Sequence, residues 1–155
     1  MVKQIAILQA NKTGNKLEIF IHDRLKREGY CFVPNKRFSA ARILKQPIYT
    51  RQFEVGKNIY DTKWKCDFIL YHLERHPNCL VIESKWQQSG GAVDEKYPYL
   101  VLNIKKQGIY DTIITIDGDG YKKEALKWLK DQVGSNLIEV FSMSEFTSWV
   151  NKKKI

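Results

Sequence analysis

Glu83 and Lys85 stand two residues apart at the end of the apolar stretch CLVIESKW, Cys79–Trp86. Side chains of an extended chain alternate faces, so this carboxylate and ammonium project to one side while Ser84 points to the other. A salt bridge closing a strand is the plain structural reading of the pair. Asp67 enlarges what the pair can do. It lies in a second apolar run, KCDFIL, where a lone carboxylate is costly unless it is paired, hydrogen-bonded or bound to a metal. If the two runs are neighbouring antiparallel strands joined through YHLERHPN, Asp67 lies across from Glu83, and two carboxylates share a small space with one ammonium. Acids that close repel each other. A divalent cation between them removes the repulsion, and an all-oxygen ligand set points to Mg2+ or Mn2+ rather than zinc.

The elements that must position these residues follow from hydrophobic periodicity. Leu17, Phe20, Ile21 and Leu25 recur at helical spacing and stop at Gly29, which predicts a first helix from Gly14 to Glu28. YCFV reads as a short strand. The stretch from Pro34 to Phe53 reads as a loop with one short helical turn and carries Lys36, Arg37, Arg42, Lys45 and Arg51 without an acid. RQFEVGKNIYDTKWKCDFILYH reads as two strands joined around Asp61 and Thr62, and CLVIESKW follows after the polar turn LERHPN.

Two glycines, Gly90 and Gly91, then lead into a helix starting between Asp94 and Pro98, since proline is tolerated in a first turn. YDTIITI is a buried strand and DGDG a strand-to-helix turn. In the amphipathic helix YKKEALKWLKDQV, the residues Tyr121, Ala125, Trp128, Leu129 and Val133 face inward. LIEVF is a last strand, Ser142 and Glu145 form a capping box for a last helix, and NKKKI is a frayed basic end. The order α-β-β-β-α-β-α-β-α predicts an α/β sandwich, a central mixed sheet flanked by helices.

A chain of 155 residues with 43% hydrophobic composition suits one domain spanning 1–155. Its 26 basic against 17 acidic residues give a net charge of +9, a field that favours polyanions, with nucleic acid as the leading partner class. No stretch reaches the roughly 20 apolar residues that span a bilayer, and MVKQIAILQANKTG lacks a signal-peptide pattern, so a cytoplasmic protein is expected, with no membrane partner. Cys31, Cys66 and Cys79 stand singly in or near apolar runs and read as reduced core thiols.

Asp67 followed by ESKWQ, with Glu83, Lys85 and Gln87, resembles the D…(D/E)-x-K signature of the PD-(D/E)XK nuclease superfamily, the restriction-endonuclease-like fold. The resemblance covers most of the chain, because the family core of a helix, three antiparallel strands, a helix and a further strand runs in the order read above. One departure is Cys66, which stands where the family name places a proline. The resemblance implies that Asp67 and Glu83 hold the metal, with the backbone carbonyl of Ser84 as a further ligand. Lys85 would position or deprotonate the attacking water and stabilise charge on the phosphate. Gln87 would orient water or phosphate, and Glu18 corresponds to a helical acid often found ahead of the strands. A solvated helix charge is the alternative for Glu18.

Contacts to DNA are expected from Arg37, Arg42, Lys45 and Arg51, whose charge can neutralise phosphates, and from Lys96 and Tyr97, for which helix-start packing is the alternative. His72, His76 and Cys79 have a zinc-like spacing but lie in a hairpin turn without a fourth ligand nearby, so no zinc site is expected. The expected function is Mg2+-dependent (or Mn2+-dependent) hydrolysis of DNA phosphodiesters by an endonuclease of restriction, homing or junction/repair type. A homodimer or higher homo-oligomer is expected, since cutting both strands needs two such sites. The rival from another class is a non-catalytic basic nucleic-acid-binding module, or a subunit of a larger nuclease assembly, in which the acids and Lys85 form a structural ion network.

Overall fold

Leu17, Ile21 and Leu25, each one turn from the next, are fully buried along one face of the first helix, α1 (Asn15–Arg27). The computed structural model describes residues 15–87 and 94–155. The N-terminal stretch read for a signal peptide and the Gly90–Gly91 pair lie outside the described residues. Helix α1 leads to the two-residue strand β1 (Cys31–Phe32), helix α2 (Asn35–Ala41) and a single 3-10 turn (Arg42–Leu44). Three long strands follow: β2 (Ile48–Lys57), β3 (Lys63–His72) and β4 (His76–Trp86). The chain then alternates through α3 (Tyr97–Gln107), β5 (Asp111–Asp117), α4 (Lys123–Asp131), β6 (Leu137–Ser142) and α5 (Met143–Asn151).

The strands form one sheet in sequential order, antiparallel from β2 to β4 and parallel at β1–β2, β4–β5 and β5–β6. This is the mixed sheet and flanking helices expected. Alternation along β3 and β4 splits their apolar residues between two faces. Phe68, Leu70, Leu80 and Ile82 pack with Leu17, Ile21 and Leu25 of α1, while Ile69, Tyr71 and Val81 pack with Phe38 of α2. Beside them Ile114 and Ile116 of β5 meet Tyr97, Leu100, Val101 and Ile104 of α3.

Several local expectations are corrected. The basic segment from Pro34 to Phe53, expected as a loop with one short helical turn, holds helix α2, a 3-10 turn and half of β2, so its helical part is borne out and its second half is strand; buried Phe38 and the fully buried Tyr49 and Thr50 give it a core side. The turn before β4 is only Leu73–Arg75, since His76 already pairs with His72. On α4, Leu129 is buried but Trp128 is 39% exposed, and Val133, beyond the end of the helix, is 41% exposed. Cys31 is exposed, and all three cysteines are free thiols.

The basic tail is pinned rather than frayed. Ile155 is fully buried in the α1 core, His76 Nε2 contacts the Lys154 carbonyl at 2.9 Å, and Lys153 pairs with Glu28 at 2.8 Å. One terminal isoleucine outweighs three lysines because its burial removes apolar area from water while their charges stay solvated.

The N-cap half of the expected capping box forms, with Ser142 Oγ accepting from the Glu145 N–H at 3.2 Å, while the Glu145 carboxylate takes the Ser142 hydroxyl at 3.1 Å and pairs with Lys130. The DGDG turn has a sharper requirement. Gly118 sits at φ +101°, and a Cβ there would lie 2.0 Å from the Gln87 carbonyl oxygen. That close approach lets the Gly120 N–H donate to the same oxygen at 2.9 Å, while the Gln87 N–H donates to Asp117 at 3.0 Å. The turn therefore straps down the end of β4 just beyond Lys85. Gly118→Ala combines left-handed strain with a backbone clash and is expected to cost roughly 3 kcal/mol or more. Urea unfolding measures it, and a change below about 1 kcal/mol would contradict the close approach.

Candidate active site

Pairing of β3 with β4 runs through Leu70–Leu80, Ile69–Val81 and Phe68–Ile82. One step further the register would set Asp67 opposite Glu83, and there side chains take over from the backbone ladder. The Asp67 N–H donates to Glu83 Oε1 at 3.3 Å, and the Ser84 N–H donates to Asp67 Oδ2 at 2.8 Å. The Ser84 hydroxyl adds a bond to the same oxygen at 3.3 Å. Each carboxylate thus holds the backbone that carries the other, so the pair is fixed relative to the sheet.

Glu83 and Lys85 lie beside Ile114 and Ile116 of β5 in the parallel ladder, on the face covered by α3. Lys85 Nζ stands 3.4 Å from Glu83 Oε2 and 3.6 Å from Asp67 Oδ2. The structure therefore brings together the three residues singled out by spacing, with one cationic nitrogen between two carboxylates.

Burial is the main influence on Glu83, which is only 2% exposed. Loss of water and then the neighbouring Asp67 charge push its carboxyl up to about 8, against the opposing pull of Lys85. Burial acts to lower the Lys85 ammonium, but Glu83 and Asp67 together outweigh it and hold the group above its ordinary value. The buried acid is thus poorly neutralised by the lysine alone and favours added positive charge.

The helical acid is close to this centre. Burial first, then the Asp67 charge, raises the Glu18 carboxyl, while Arg51 and Lys85 oppose the shift. Its carboxylate pairs with the Arg51 guanidinium, which also lies over the Phe68 ring at 5.1 Å. One turn along α1 and two residues back on β2, His22 and Tyr49 repeat the link at 2.7 Å. Burial lowers His22 and pushes Tyr49 up to about 12. These two rungs tie α1 to β2. Sequence reasoning missed them because each joins residues about thirty apart with no local signature.

Gln87 is buried at the end of β4, with the Tyr97 hydroxyl 3.5 Å from its Oε1. Tyr97 is 1% exposed and belongs to the α3 core, so the packing alternative holds and it is not a surface contact for nucleic acid. Arg51 is engaged with Glu18, and Arg42 donates to the Pro77 carbonyl at 3.2 Å while covering the Tyr71 ring. Neither is a free arm. Arg37, Lys45 and Lys96 are exposed. His72 Nδ1 accepts from the Glu74 and Arg75 N–H groups, and His76 is turned to Lys154.

Among the described residues, no three His, Cys, Asp or Glu side chains gather as a metal-holding group, and no helix is long and apolar enough to cross a membrane. Asp67 and Glu83 converge as a pair. Their oxygen-only set fits a hard cation that completes its shell with backbone carbonyls and water, as Mg2+ does.

A mixed sheet flanked by helices, with acids on adjacent strands and a lysine two residues beyond one of them, is a restriction-endonuclease-like arrangement. The profile of the PD-(D/E)XK nuclease superfamily domain matches residues 9–154 of the chain, which belongs to that superfamily. No curated protein and no solved structure matches it.

Proposed function

We propose that this protein is a Mg2+- or Mn2+-dependent DNA endonuclease that hydrolyses phosphodiester bonds, acting as a homodimer when it cuts both strands. The observation that supports this reading is the pair of carboxylate oxygens, Asp67 Oδ2 and Glu83 Oε2, that lie 3.6 and 3.4 Å from the one Lys85 ammonium. Asp67 and Glu83 would hold the metal, with the Ser84 backbone carbonyl as a further ligand. When bound, the metal supplies charge compensation for the scissile phosphate and makes water a usable nucleophile at neutral pH.

The protein's own groups do the rest. Lys85, kept charged by its two neighbours, orients the attacking water and meets charge developing on the phosphate. The mutual bonds of Asp67 and Ser84 hold the acids at fixed spacing before substrate arrives. Gln87, fixed by the DGDG strap, orients water or phosphate at the far end of the strand. Glu18, held by Arg51, adds negative charge that attracts the cation. Exposed Arg37, Lys45 and Lys96, together with the net charge of +9, draw in the polyanion.

The test is incubation of purified protein with supercoiled plasmid. Nicked or linear product is expected with Mg2+ or Mn2+ and none with EDTA; intact plasmid over a range of sequences and both metals would refute the reading. The salt bridges from Lys85 to both acids also suit the second reading, a basic nucleic-acid-binding module without catalysis. That reading expects duplex affinity indifferent to Mg2+.

A further inference from the structure

Tyr60, at the tip of the β2–β3 hairpin, is 71% exposed although it is a large aromatic residue, and it stacks on Tyr99 of α3, itself 38% exposed. Their ring centroids are 5.7 Å apart with planes 26° from parallel. The hairpin that carries Tyr60 is fastened to α3: the Ile59 N–H donates to Asn103 Oδ1 at 2.9 Å, and Lys106 Nζ reaches the Asn58 carbonyl at 2.9 Å and Asp61 Oδ1 at 2.7 Å. Within the tip, the Tyr60 and Thr62 N–H groups both donate to Asn58 Oδ1, at 2.9 and 3.1 Å. An open aromatic face is thus held on a backbone whose ordering cost is already met in the fold.

We infer that this paired-tyrosine shelf is a stacking platform for an unpaired nucleobase, with Tyr60 presenting the face. The inference rests on the proposed action on DNA and adds a substrate class, DNA with an unpaired stretch beside the duplex. Three observations select this occupant. Every base has a π-face that an exposed, rigid ring can meet, and such stacking tolerates any sequence. Exposed Lys57, Lys96 and Lys105 lie on or next to the same two elements, while the tip's own acid, Asp61, is matched by Lys106. The two elements that build the shelf also lead to the candidate site. Four residues of β3, roughly 14 Å at strand rise, separate Lys63 at the tip from Asp67, and two residues of α3 separate Tyr99 from Tyr97, which contacts Gln87.

The test is equilibrium binding by fluorescence anisotropy in EDTA, comparing a blunt duplex with the same duplex carrying a four-nucleotide unpaired tail. For wild type, the tail is expected to tighten binding by about tenfold. Tyr60→Ala should lose that gain and keep the blunt-duplex affinity, while Tyr60→Trp should retain it. A 2-aminopurine in the tail should be quenched by wild type and not by Tyr60→Ala. Equal affinity for tailed and blunt DNA in wild type, a Tyr60→Ala loss shared equally by both, or an unquenched tail would each overturn the inference. Because no cleavage is needed, a protein that stacks the tail yet never cuts with Mg2+ would refute the nuclease reading and leave this one standing.

Discussion

Glu83→Gln is expected to lower Mg2+-dependent cleavage by about a thousandfold or more, yet to make the metal-free protein more stable at pH 8. The first effect follows from removing one of the two carboxylates proposed to hold the metal. The second follows from linkage. The Glu83 carboxyl is raised from an ordinary 4.5 to about 8 by burial and by Asp67, so between those values the folded protein keeps a proton that the unfolded chain has released. Stability therefore falls as pH rises through that window and levels off above it, a loss on the order of a few kcal/mol. Glutamine keeps an acceptor for the Asp67 N–H and carries no titrating charge, so the part of the slope that Glu83 contributes should vanish. Saturating Mg2+ should flatten the wild-type slope as well, since a bound cation favours the ionised acid. Urea unfolding from pH 5 to 9, with EDTA or Mg2+, measures all of this. A wild-type protein equally stable across that range without metal would remove the basis for the argument.

The reason Glu83 can be read so directly is that its signal was local. Alternation put Glu83 and Lys85 on one strand face, and the cost of a carboxylate in KCDFIL drew Asp67 toward them before any coordinates. The β3–β4 register then needed only a short turn between two apolar runs. Residues whose partners are distant in sequence were less legible. Arg51 reads as a DNA-contacting charge because the stretch from Pro34 to Phe53 that holds it has no acid, yet its partner Glu18 is on another element, 33 residues earlier. Likewise, NKKKI reads as a solvated end until Ile155 is seen filling the core beside α1. Helix α2 reads only as one short turn for another reason: in a run of seven residues with one buried side chain, Phe38, periodicity is too short to register. What the sequence conveyed well was therefore the chemistry of one strand end, and what it conveyed poorly was how the basic segment is tied down around it.

Lys85→Met separates the catalytic from the structural reading of that strand end. Methionine keeps most of the apolar stem and deletes the ammonium that lies 3.4 and 3.6 Å from the two acids. In EDTA the variant loses both ion pairs and keeps the Glu83 carboxyl protonated to still higher pH, so above pH 8, where wild-type Glu83 is ionised, it is expected to lose about 3 kcal/mol of stability. If Asp67 and Glu83 form a cation site, Mg2+ supplies the missing charge, and most of the lost stability should return at millimolar metal. Cleavage should stay lost by a similar thousandfold or more, because the metal cannot replace the ammonium that orients water and meets the phosphate. A purely structural ion network behaves differently: Lys85→Met would be destabilised to the same extent with or without Mg2+, since no cation is held where the lysine was. Thermal unfolding with EDTA, Mg2+ and, as a control for general ionic strength, an equivalent amount of NaCl distinguishes the two. Recovery by NaCl as complete as by Mg2+ would mean simple screening, and the strand end would then be only a charged seam between β3 and β4.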